Sequence, residues 1–104
     1  MNPGAEVVPE KHKYVVDLMF GCEGLPNLDI VTKTDAFLKV FMKRASQIEW
    51  SKIGETEVVY NNLSPWFTKS FTVDFFFETK QPIKVEVYHH DSATKDIMIG
   101  KPDL

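Results

Sequence analysis

The sequence predicts an all-β domain built as an antiparallel sandwich, and three features carry that expectation. Apolar and polar residues alternate through six or seven short segments, the period-two signature of half-buried strands. Turn-forming residues interrupt the alternation about every 8–12 positions, the spacing of a sandwich. No stretch carries the i, i+3, i+4 spacing of an amphipathic helix.

The first strand lies in YVVDLMFGC, where Val16, Leu18, Phe20 and Cys22 share a face opposite Asp17 and Gly21. GCEGLPNLD is a turn-rich exit. AFLKVFMK alternates next, with Leu38, Val40 and Met42 inward and Lys39 and Lys43 outward. EWSKI and ETEVVY read as two segments divided by Gly54, and NNLSP is a turn cluster. SFTVDFFFE puts Phe71, Val73, Phe75 and Phe77 on one face and Phe76 on the other, and Gln81-Pro82 closes the connection after it. IKVEVY turns Ile83, Val85 and Val87 inward, and IMIG is a last short strand. Trp50 and Trp66 are expected to pack in the core or at the sandwich ends.

Residues 1–12 read as a flexible leader, because Pro3, Gly4 and Pro9 break any periodicity, and residues 13–104 as one domain. A net charge of −3, with no long run of like charges, argues against nucleic acid, which normally needs a strongly basic face. One cysteine, Cys22, cannot close an internal disulfide, which favours a reducing, cytoplasmic setting. No apolar run approaches the roughly 18 residues of a membrane span, so any membrane contact is expected to be peripheral.

From LDIVTKTDAF onward the chain resembles a C2 domain, the calcium- and lipid-binding sandwich of peripheral membrane proteins. The likeness continues through GETEVVYNNLSPWFTKSFTVDFFFE and KVEVYHHDSATKDIMIG, from about Tyr14 to Gly100. GCEGL, TEVVYNNLSP and FTVDFFFE resemble the first C2 domain of the copines most. The resemblance implies a Greek-key sandwich of the eight-stranded type. The chain ends four residues after Gly100, so the closing strand is expected to be missing or shortened. An uncovered edge invites strand addition, leaving a monomer or an edge-strand-mediated dimer as the expected states.

The resemblance also implies calcium as the cofactor. Calcium takes six to eight oxygen ligands, and paired acids on two neighbouring loops supply them. Asp29 and Asp35 match the first loop's pair and Asp91 matches a third-loop acid; His89 and Ile97 stand where two further acids are expected, with Asp96 one residue out of register. Imidazole is a poor calcium ligand, so His89 weakens the set. Ala36 replaces the family's usual proline and Asn27 a frequent acid, which lowers the expected affinity further. The same aspartates also read as solvated turn formers, for which Asp is favoured regardless of metal.

Ile30 and Val31 then project from the first loop's tip beside Lys33. Burying one such aliphatic in lipid contributes roughly 1.5–3 kcal/mol, and a lysine at an anionic surface about 1 kcal/mol. The implied function is calcium-dependent phospholipid binding that targets the chain to anionic membranes. The alternative is a calcium-independent C2 fold that binds protein partners or acts as a scaffold. His89 and His90 point to opposite faces of a strand and do not make a transition-metal pair. No nucleophile has a positioned base, no glycine-rich phosphate loop is present, and an enzyme is not expected. Lys39, Lys43 and Arg44 form a modest basic strip.

Overall fold

A computed structural model describes residues 13–27, 33–44, 47–76, 79–91 and 96–100. The expected leader, residues 1–12, lies outside them. So does Phe77.

Six strands form among the described residues: β1 (Lys13–Leu18), β2 (Ala36–Met42), β3 (Ser51–Glu55), β4 (Phe71–Phe76), β5 (Ile83–His89) and β6 (Ile97–Gly100). They make two antiparallel sheets, one of order β1-β4 and one of order β3-β2-β5-β6. Every pairing is antiparallel and joins strands remote in sequence or linked by a turn, as expected of a sandwich.

Alternation sets which side chains the sheets enclose. Leu38, Val40, Val85 and Val87 are buried with Ala36, Phe67 and Phe71 in one core cluster. Leu18, Phe20 and Cys22 pack against that cluster from the first strand and its exit. A cavity of about 260 Å³ remains between the sheets, lined by Val16, Leu18, Met42, Val73, Phe75, Gln81 and Ile83.

The third strand departs from the expectation. Gly54 does not divide two segments but lies inside β3, opposite Val40, next to a bulge between Val40 and Phe41. The reason is a close approach between sheets. A Cβ at residue 54 would stand 2.7 Å from Cε1 of Phe71, so only glycine lets that ring reach the sheet. Beyond Glu55 the ladder gives way to a threonine. Thr56 donates its N–H to the Leu38 carbonyl (2.9 Å), and its hydroxyl accepts the Leu38 N–H (2.8 Å). ETEVVY is therefore largely a crossover, touching β2 once more where Val59 bridges Ala36.

Gln81 closes one side of the smaller sheet. Its side-chain carbonyl accepts the Phe76 N–H (2.7 Å) and its amide donates to the Asp74 carbonyl (2.7 Å). Residues 74 and 76 thus turn their backbone groups away from β1, and a single side chain occupies the edge where another strand could pair.

Candidate functional site

The rim of the sandwich forms where β2 begins and β5 ends. Ala36 pairs with His89 in the ladder, so the residue before β2 and the residue after β5 are neighbours. The Asp35 carbonyl accepts the His90 N–H at 2.8 Å. The Asp35 N–H donates to Nδ1 of His89 at 3.1 Å. Asp35 and Asp91 therefore sit on adjoining backbones, as a two-loop site requires.

Two asparagines organise the first loop's exit. Asn61 adopts a left-handed backbone with φ of 54°, which asparagine tolerates better than most residues. That turn aims its N–H at Oδ1 of Asp35 (2.7 Å), while its own Oδ1 accepts the Lys33 N–H (2.7 Å). Thr34 is fully buried between them; its hydroxyl donates to the Pro26 carbonyl (2.6 Å) and its carbonyl accepts the Asn62 N–H (3.1 Å). Sequence reasoning saw NNLSP as a turn and missed this role, although paired asparagines are a recognisable signal for a left-handed position.

The sequence-predicted residues fall as follows. Asp29, Ile30 and Val31 lie outside the described residues. Lys33 is exposed, and Asp35 and Asp91 are half-buried at the rim. His89 is buried, with Nδ1 occupied by the Asp35 N–H, so that nitrogen carries no proton and its lone pair is engaged. Asp96 meets His90 instead, with Oδ1 2.9 Å from its Nδ1. Among the described residues, no three His, Cys, Asp or Glu side chains come close enough together to hold a metal ion.

The basic strip is structured by aromatic rings. Lys39 sits 4.2 Å above the Tyr88 ring, Lys43 4.7 Å from that of Trp50, and Lys84 between Phe41 (4.6 Å) and Trp50 (5.1 Å). Glu86 completes the face. It accepts the Tyr88 hydroxyl at 2.9 Å and lies 3.5 Å from the Lys84 ammonium. Burial and the Glu86 hydrogen bond push the Tyr88 phenol up, keeping it a proton donor. Each such lysine–ring contact is worth about 0.5–1 kcal/mol at an exposed site. Trp50 thus packs under lysines on the sheet's outer face rather than in the core.

Trp66 departs further from the expected packing, being 61% exposed. Successive residues of extended chain point to opposite sides. Pro65 and Phe67 take the buried positions, so Trp66 faces solvent.

Among the described residues, no helix is long and apolar enough to cross a membrane. The C2 domain family profile matches residues 16–104. Copine-B of Dictyostelium discoideum is 40% identical over 79% of the chain and 16% of its own length. Copine-E of the same organism is 38% identical over 82% of the chain and again 16% of its own length. The chain thus spans about a sixth of these relatives. A C2 domain of a plant Extended Synaptotagmin 1 superposes with a TM-score of 0.67 at 22% identity, covering 86% of this chain and 66% of that one. A profile match over most of the sequence, on two antiparallel sheets, shows that the chain belongs to the C2 domain family.

Proposed function

We propose that the chain is a non-enzymatic, calcium-dependent module that targets anionic phospholipid membranes from the cytoplasm. The observation that supports this most is the rim itself, where Asp35 is bonded through its backbone to His90, the neighbour of Asp91. Asp29, Asp35 and Asp91 would hold the ion, and Ile30, Val31 and Lys33 would meet the lipid. The donor set fits one calcium ion better than several. It offers carboxylates from two loops, yet Oδ1 of Asp35 already accepts a backbone N–H and His89 stands in a ligand position with its Nδ1 engaged. When bound, the ion would neutralise the acids and bridge them to lipid phosphate, lifting the repulsion between an acidic rim and an anionic surface.

A second reading, a calcium-independent protein-interaction domain, is favoured by that buried His89. Co-sedimentation with phosphatidylserine vesicles separates the two. Binding that needs calcium and disappears in Asp29→Asn/Asp35→Asn supports the membrane switch. Equal binding in chelator, or none in either condition, supports the second reading.

A further inference from the structure

Residues 20–25 and 63–67 run side by side, next to the turn that carries Asn61 and Asn62. Three backbone bonds hold them: Cys22 N–H to the Pro65 carbonyl (2.9 Å), Phe67 N–H to the Phe20 carbonyl (3.0 Å) and Leu25 N–H to the Leu63 carbonyl (2.8 Å). Between them opens a groove of about 430 Å³ lined by Gly21, Cys22, Glu23, Ser64, Pro65 and Trp66. None of the sequence-predicted site residues lies in it.

The groove is preformed. The Trp66 indole lies across Gly21, where a Cβ would stand 2.5 Å from Cε3, so glycine is what allows the ring to settle there. At the far wall the Gly24 N–H donates to Oγ of Ser64 (3.2 Å). Gly24 has φ of 62°, the left-handed backbone that aims this N–H. Burial raises the Cys22 thiol, which therefore stays protonated at neutral pH. Glu23 is then the one formal charge among the lining residues.

A solvent-facing indole beside a carboxylate matches a cation, because the ring face and the carboxylate attract positive charge together. We propose that this groove binds the arginine or lysine side chains of a basic, extended segment of a partner protein. The groove's one formal charge favours a basic protein segment over an anionic lipid headgroup, because Glu23 repels a phosphate and attracts a guanidinium or ammonium. A net charge of −3 further favours basic partners.

The test is titration of the whole isotope-labelled chain with acetyl-Gly-Arg-Arg-Gly-amide, followed by NMR, alongside a peptide carrying citrulline in place of both arginines. Saturable shifts are expected at the Trp66 indole N–H and the Gly21 and Glu23 amides, with slower alkylation of Cys22 by N-ethylmaleimide. Glu23→Gln should weaken binding about three- to tenfold, and the citrulline peptide should not bind. Trp66→Ala should abolish binding, but it also uncovers Gly21, so the exposed Glu23 is the deciding position. Absence of saturable shifts, or equal affinity for Glu23→Gln and the unmodified chain, overturns the proposal. So does equal binding of the citrulline peptide. Phosphatidylcholine vesicles that move these resonances where the peptide does not would assign the groove to lipid headgroups and overturn it as well.

Discussion

β2 and β1 carry the same alternating pattern, yet five of the seven β2 residues are buried and none of the six in β1 is. β2 has a strand on each side, β3 and β5, and a sheet packed against its inner face. Among the described residues β1 has one neighbour, β4, and its inner residues Val16 and Leu18 line an open cavity. Alternation says which way a side chain points. How much water it loses depends on what flanks the strand.

The largest effect should separate those two strands. Leu38→Ala, in the fully packed core, should lower stability by about 2–5 kcal/mol. Val15→Ala, at a position 66% exposed on β1, should stay within about 0.5 kcal/mol. Urea denaturation of both variants measures the contrast. Similar losses would mean that β1 is covered in solution.

Next in size is the edge closed by Gln81. Gln81→Ala removes its bonds to Phe76 and Asp74, and should cost about 1–2 kcal/mol. It should also leave β4 open to pairing, visible as concentration-dependent association in sedimentation velocity. A variant that remains monomeric with an unchanged urea midpoint would show that water replaces the amide without loss.

The smallest effect concerns a crossover held by one carboxylate. Glu57 accepts the Thr68 N–H (2.7 Å), the Thr68 hydroxyl (2.9 Å) and the Lys69 N–H (3.2 Å). These bonds, the Thr68 N–H foremost, hold its acid below the ordinary value of 4.5. Because folding favours the charged form, the stabilisation is present above pH 4.5 and is lost as pH falls through the lowered folded value. The stability gap between the unmodified chain and Glu57→Gln should therefore shrink on acidification through that window. A gap independent of pH would show that the carboxylate's charge contributes nothing.

Much of the architecture was legible because it rests on local alternation. Leu38, Val40, Val85 and Val87 are inside as their spacing predicts, and IMIG is a strand. Gly54 was misread because its role depends on Phe71, a residue of the other sheet that only folding brings near. Trp66 was misread because its own hydrophobicity was weighed without its neighbours, Pro65 and Phe67, which claim the interior. At the rim, the approach of Asp35 to residue 91 follows from antiparallel pairing and could be anticipated. The seat of His89 against the Asp35 N–H could not, since it depends on a rotamer chosen by packing.

The engagement of Asp35 through both its N–H and its carbonyl has a mechanical consequence. It works as a clasp where β2 begins and β5 ends, holding the two backbones at residues 35, 89 and 90 with two bonds. The start of β2 and the end of β5 therefore keep one spacing, and prising them apart would cost both bonds together.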